Sequence, residues 1–228
     1  MSKSVMNHHH RRLRAKIKSN KITLQPFDGL TVGCIEYADY ATGYDITFPK
    51  TTNAAFNKQM DGETNAWIKA CRKHMLSVKK QNNSVNPKMR ATERGFAWGE
   101  IEYLSKSAIS GFMTFSNTWT PGQKLISFNF DFENDRMIYL EDVFKNKKDY
   151  QKYIKNYIKK EIKNHNLYSD TDFKKWVKKN DFSYFTIRKD GICFSTKNSQ
   201  LYGRQSVTIP YRQLQPFLKK SFIAMIKE

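Results

Sequence analysis

Leu125-Ile126-Ser127-Phe128-Asn129-Phe130-Asp131-Phe132-Glu133 is the stretch that decides how this chain folds. Ile126, Phe128, Phe130 and Phe132 alternate with Ser127, Asn129, Asp131 and Glu133, and a period of two puts the apolar set on one face of a β-strand. The reading is a strand with one buried face and one wet face, as in an antiparallel sheet covered on a single side. Upstream, Gly95–Ser105 and Ala108–Trp119 read as two further strands, with joints at Lys106-Ser107 and Pro121-Gly122. Downstream, Asn134-Asp135 turns the chain and Tyr139–Phe144 makes a short piece.

The cover is expected from amphipathic helices. Phe56, Met60, Trp67, Cys71 and Met75 recur at spacings of three, four or seven and draw an apolar stripe down to about Lys79, with Thr51, Thr52 or Asn53 as the cap. Asp149–Asn164 forms a second helix whose stripe is Tyr150, Ile154, Tyr157, Ile158 and Ile162. Asp170 or Thr171 opens a short third helix with Phe173, Trp176 and Val177. Leu214, Phe217, Leu218, Phe222 and Met225 mark a C-terminal helix with Pro216 in its first turn. Thr31–Tyr37, Gly43–Phe48 and Ser206–Ile209 add strands, and Lys189-Asp190-Gly191 joins Tyr184–Arg188 to Gly191–Thr196 as a hairpin. The fold class is therefore α+β, an antiparallel sheet covered on one face by amphipathic helices, with Ile126, Phe128, Phe130 and Phe132 facing the layer that holds Trp67, Ile154 and Phe217.

The chain has 228 residues, carries no internal repeat, and shows no Pro/Gly/Ser linker after residue 30, so residues 22–228 read as one domain. Residues 1–21 read as a basic, disordered tail, with three consecutive histidines and seven Lys/Arg but no acid. Lys+Arg 40 against Asp+Glu 21 gives a formal charge of +19, which favours polyanionic partners. Lys152, Lys155, Lys159 and Lys163 line one face of the second helix and are the candidate polyanion contacts. No apolar stretch approaches the ~18–20 residues that cross a bilayer, and no signal-peptide core is visible, so the chain as written is expected to be soluble.

Several chemistries are not expected. Cys34, Cys71 and Cys193 are odd in number and far apart, which fits reduced core thiols better than a disulfide framework or a metal knuckle. Outside the tail the only histidines are His74 and His165, so a Ser or Cys nucleophile has little to serve as its general base. There is no Gly-rich phosphate loop and no metal-ligand spacing; neither a metal site nor a cofactor is expected. Glu100/Glu102 and Asp131/Glu133 are acidic pairs, each on one face of a strand, and that face is read as wet rather than as a catalytic cleft. The chain is read as a binding protein, not an enzyme.

Three stretches in order resemble one family: Phe128–Asn134, then Ile138-Tyr139-Leu140-Glu141-Asp142-Val143-Phe144, then Leu201-Tyr202-Gly203 running into Val207-Thr208-Ile209-Pro210-Tyr211-Arg212-Gln213-Leu214. The pattern is similar to the RsiV-like family, the extracellular domains of lysozyme-sensing anti-sigma factors, related to the non-catalytic N-terminal domain of the peptidoglycan deacetylase PdaC. The resemblance runs from about Thr31 to the C-terminus. It implies an α+β binding or sensor module acting outside the cytoplasm, with lysozyme, another wall-active protein or an anionic wall polymer as partner. It also implies that Lys197, Gln200, Tyr202 and Gly203 form the ligand-binding loop, with Tyr202 presented to an enzyme cleft. Contact with a membrane is expected only through a segment outside this sequence. The alternative, from charge alone, is a nucleic-acid-binding protein of the cytoplasm.

Overall fold

The structure, a computed structural model, describes residues 23–27, 30–38, 42–82, 93–120, 123–164, 178–179, 182–195 and 206–226. The basic tail, the short helix expected over Asp170–Val177, His165 and the loop 197–203 lie outside the described residues.

The elements run β1 (Thr23–Phe27), β2 (Leu30–Ala38), β3 (Thr42–Lys50), α1 (Ala54–Asn82), β4 (Glu93–Leu104), β5 (Ala108–Asn117), β6 (Gln123–Asp131), β7 (Arg136–Met137), α2 (Leu140–Val143) and α3 (Lys147–Asn164). They continue with β8 (Phe185–Ile187), β9 (Gly191–Ser195), β10 (Ser206–Pro210), α4 (Tyr211–Leu214), a 3-10 turn (Gln215–Phe217) and α5 (Lys220–Ile226). The class is α+β. Strands β1 to β7 form a sheet in sequence order, and β10-β9-β8 form a smaller antiparallel one. The large sheet is mixed rather than purely antiparallel, because β3 and β4 pair in parallel. A parallel pair needs a long crossover, and the 29-residue α1 provides it.

Helix α1 begins where Asn53 accepts the Phe56 N–H on its Oδ1 at 2.8 Å, so Asn53 is the cap. Its stripe of Phe56, Met60, Ile68, Cys71 and Met75 packs on Ile46, Phe48, Met113, Phe115, Phe128 and Phe130. Phe56 meets Phe128 and Phe130 edge-on, with centroids 5.7 and 5.5 Å apart, a geometry that aromatic quadrupoles favour.

The opposite face of the sheet is buried too, which corrects the expectation of a wet side. Asn129 and Asp131 are only 3% and 7% exposed, and β5 is buried at every position from Ala108 to Phe115. A second core lies on this side, built from Tyr150, Ile154 and Ile158 of α3, Phe185, Ile192, Phe194 and Ile209 of the small sheet, and Leu214, Leu218 and Phe222. Ile154 and Phe217 therefore belong to this second core and do not share the layer of Trp67 with the β6 phenylalanines.

The two sheets are joined through side chains of the large one. Along β8 and its two flanking residues, the backbone groups of Tyr184, Thr186 and Arg188 point to β9, so the Phe185 carbonyl and Ile187 N–H face the other way. Asn129 Nδ2 donates to the Phe185 carbonyl at 2.9 Å, and the Ile187 N–H donates to Ser110 Oγ at 2.7 Å and Asn129 Oδ1 at 3.2 Å. Ser110 Oγ donates in turn to Asn129 Oδ1 at 2.6 Å. A strand edge that would otherwise present unpaired groups is closed by two buried polar residues.

The C-terminal helix is not continuous. Leu218 takes an extended conformation and bridges Phe144, while Lys145 N–H donates to the Phe217 carbonyl and Lys219 N–H to the Val143 carbonyl, both at 2.9 Å. Backbone pairing with the α2 region thus replaces two helical positions, and Pro216 sits at the start of the 3-10 turn where its missing N–H costs nothing.

Candidate functional site

Lys197, Gln200, Tyr202 and Gly203 lie outside the described residues, but the strands that flank them, β9 and β10, are described. β9 and β10 pair antiparallel from Gly191↔Pro210 to Ser195↔Ser206, so the loop closes the hairpin immediately beyond that last pair. Cys193, Phe194, Ser195 and Ile209 in the stems are fully buried. At the other end, a Cβ on Gly191 would stand 2.3 Å from the Ile209 carbonyl oxygen, so only glycine allows the strands this close an approach.

The platform is also held by charge. Arg188, just past β8, donates from Nε and Nη2 to the two carboxylate oxygens of Glu102 at 2.9 and 2.5 Å, and from Nη1 to Thr208 Oγ1 at 3.1 Å. Thr186 Oγ1 donates to the same carboxylate. The Glu102 hydrogen bonds raise the Arg188 pKa against the opposing effect of burial. Glu102 lies at a β-bulge, where the β4–β5 register shifts between Ile101 and Tyr103. A bulge re-aims the side chain of the extra residue, and here it separates Glu102 from Glu100. Glu100 is exposed and accepts the Trp98 indole N–H at 3.4 Å, whereas the Glu102 side chain is only 11% exposed. The other acidic pair is divided as well: Asp131 is buried and accepts the N–H groups of Glu133 and Asn134 at 3.0 and 3.1 Å, which caps the turn after β6.

Helix α3 carries the second set of candidates. Its apolar side holds Tyr150, Ile154 and Ile158 in the core. Lys152 and Lys159 are exposed on the far side and Lys155 is half-buried; the side chain of Lys163 lies outside the described residues. Between the lysine face and the core runs an open groove of about 330 Å³, lined by Tyr153, Asn156, Tyr157, Lys160, Glu161 and Gln213. Tyr153 OH donates to Gln213 Oε1 at 3.2 Å. Burial, and after it the nearby Glu161, raise the Tyr157 pKa. The sequence signal for this groove was the Tyr153/Tyr157 pair one helical turn apart; its α4 wall, Gln213, is 60 residues away and had no local signal.

His74 stacks on Trp119 with centroids 4.2 Å apart, and among the described residues its Nε2 has no hydrogen-bond partner. Cys71 and Cys193 are free and buried, and burial pushes the Cys71 thiol up to about 12. Among the described residues no group of three or more His, Cys, Asp or Glu could hold a metal ion, and no helix is long and apolar enough to cross a membrane.

No family model and no curated protein matches the sequence. Solved structures do match. A DUF3298-family protein from Bacteroides fragilis is 14% identical with a TM-score of 0.56, covering 92% of this chain and 99% of its own. A DUF3298-family protein from Pseudomonas aeruginosa is 12% identical with a TM-score of 0.58, covering 86% of this chain and 97% of its own. At such identities the likeness is one of fold. DUF3298 is the domain family of the RsiV and PdaC type.

Proposed function

We propose that this domain is a non-enzymatic binding module of the bacterial cell envelope, and that it holds an anionic wall polymer along the lysine face of α3. The observation that carries the reading is the DUF3298-type fold, which spans 92% of the chain in the Bacteroides fragilis comparison and agrees with the RsiV-like motifs of the sequence. Charge supports the choice of ligand. Outside the seven basic residues of the tail the chain still carries a clear excess of Lys and Arg, and Lys152 and Lys159 stand in solvent on a rigid helix. Its place is the outer face of the cell.

A second reading, lysozyme recognition through Tyr202, is favoured by the rigid hairpin stems from which the loop springs. Against it, a strongly basic domain repels a basic enzyme over about a Debye length, ~8 Å at physiological salt, unless an acidic patch faces the contact.

Titration of teichoic acid, duplex DNA and lysozyme against the wild type, a Lys152/Lys155/Lys159→Glu triple variant and Tyr202→Ala, each at low and high salt, separates these. Teichoic acid is expected to bind with log K falling linearly in log salt, and the triple variant to lose that binding. DNA binding tighter than teichoic acid turns the reading to nucleic acid. Lysozyme binding that Tyr202→Ala abolishes establishes the second reading, since a buried aromatic in a cleft is worth ~2 kcal/mol or more. Absence of binding to both wall polymer and lysozyme defeats the envelope proposal.

A further inference from the structure

The groove beside α3 has the chemistry of a sugar site. Three aromatic rings contact one another in succession: Tyr157, then Tyr153 at 6.4 Å between centroids and tilted by 35°, then Phe217, beyond the groove's own lining, at 4.8 Å and 37°. All three are half-buried, so each keeps part of its surface toward solvent. The spacing is comparable to the length of one pyranose ring. Around the row stand an amide, an ammonium and a carboxylate in Asn156, Lys160 and Glu161, with the Gln213 amide behind. Pyranoses are two-sided in the same way, with C–H groups on their faces and hydroxyls at their edges.

Tyr153 is also held before any ligand arrives. Its hydroxyl donates to Gln213 of α4 at 3.2 Å, and Phe217 leans on its ring at an interplanar angle of 37°. Rings held in place cost less conformational entropy on binding than free ones. An ordinary solvated helix face needs none of this. The lysine face a third of a turn away carries no aromatic at all, only Lys152, Lys155 and Lys159 at the residues described there.

We propose that this groove binds a neutral β-1,4-linked oligosaccharide, its pyranose faces on Tyr157 and Tyr153 and its hydroxyl or acetamido groups on Asn156, Lys160 and Gln213. The β-1,4 linkage is chosen because equatorial linkages give an extended chain that can reach successive rings, the tilt of about 35° between Tyr157 and Tyr153 being taken up by rotation about the glycosidic bond, whereas α-1,4 chains curl away from them. The site is separate from the lysine face, so this inference stands or falls independently of polyanion binding.

The test is calorimetric titration of the full chain with chitotetraose, cellotetraose and maltotetraose at low and high salt, with amide chemical-shift mapping by NMR. At least one of the two β-linked probes is expected to bind with an affinity that salt leaves unchanged, as a neutral ligand requires, and to shift the amides of residues 153–161 and 213. Maltotetraose is expected to bind at least about tenfold more weakly. Tyr157→Leu keeps the apolar volume but removes the ring face and is expected to weaken binding about tenfold, while Tyr157→Phe retains it. Asn156→Ala, at an exposed position, is expected to weaken binding without changing the melting temperature. Failure of both β-linked probes to bind, equal binding of maltotetraose, shifts that map elsewhere, or unchanged binding by both Tyr157→Leu and Asn156→Ala each overturns the proposal.

Discussion

Replacing Asn129 by Ala tests whether the two sheets are held together by the buried polar clamp. Asn129 is 3% exposed and makes three hydrogen bonds that the substitution removes: to the Phe185 carbonyl at 2.9 Å, from Ser110 Oγ at 2.6 Å and from the Ile187 N–H at 3.2 Å. The Ile187 N–H keeps Ser110 Oγ at 2.7 Å, so it is not stranded. The Phe185 carbonyl and the Ser110 hydroxyl lose the partners described for them, and each buried group so stranded costs about 1–3 kcal/mol. The two together give an expected loss of roughly 2–6 kcal/mol. Ser110→Ala is the control, because it leaves the Ile187 N–H its longer bond to Asn129 and Asn129 its bond to Phe185; the expected loss is about 1 kcal/mol. Urea unfolding followed by tryptophan fluorescence gives both values from midpoints at a common slope. An Asn129→Ala variant within about 0.5 kcal/mol of wild type would show that the Asn129 clamp does not hold the sheets together, and a Ser110→Ala variant that costs more than Asn129→Ala would show that Ser110 rather than Asn129 is its centre.

Other outcomes follow from the same structure. Phe130→Ala, at a ring 2% exposed against Phe56, is expected to destabilise by about 3–5 kcal/mol in the same urea assay. Burial works to raise the Asp142 carboxyl, but the Tyr139 N–H and then Arg136 outweigh it and hold the pKa below the ordinary value. Its stabilisation is therefore present above the ordinary carboxylate pKa and lost as pH falls through the lower folded value, so Asp142→Asn should flatten the acid limb of a urea-midpoint profile against pH. Cys71, with its thiol at about 12 against an ordinary 9.0, contributes stability that is present below 9.0 and lost as pH rises toward the folded value. At mildly alkaline pH it should resist iodoacetamide until urea unfolds the chain, and rapid native-state labelling at Cys71 would contradict its burial.

The elements that local periodicity governs were legible. The alternation of β6, the apolar stripe of α1 and the Asp190-Gly191 hairpin each depend on residues a few positions apart, and all three elements form, β6 with its bounds two residues earlier than its pattern suggested, at Gln123–Asp131. What a polar residue does on the second face of a strand was not. Asn129 looks the same to a sequence reading whether water or a buried carbonyl 56 residues away is its partner, and the whole second core turns on that difference. The parallel pairing of β3 with β4 was hidden for a related reason, since a half-buried strand shows its period but not the direction of its neighbour. The break at Leu218 is a tertiary override, in which pairing with Phe144 outcompetes continued helix. The bulge that turns Glu102 to Arg188 had no turn residue to announce it.

The polar connections between the sheets bear directly on binding. The small sheet whose β9–β10 hairpin carries residues 196–205 is secured to the large sheet through β8, by the Ser110–Asn129 clamp to Phe185 and Ile187 and by Glu102–Arg188 beside it. Apolar packing alone is tolerant of small slides, whereas hydrogen bonds from fixed side chains to a particular carbonyl and a particular N–H permit one register. The small sheet thus has a defined register on the large sheet. Arg188 also meets Thr208 of β10, and Tyr211 OH of α4 donates to the Arg188 carbonyl at 2.8 Å. Through that contact α4, and with it Gln213 in the groove, is tied to the same hairpin. The loop stems and the groove wall are therefore parts of one hydrogen-bonded unit, and loosening Arg188 should disturb both before it unfolds either.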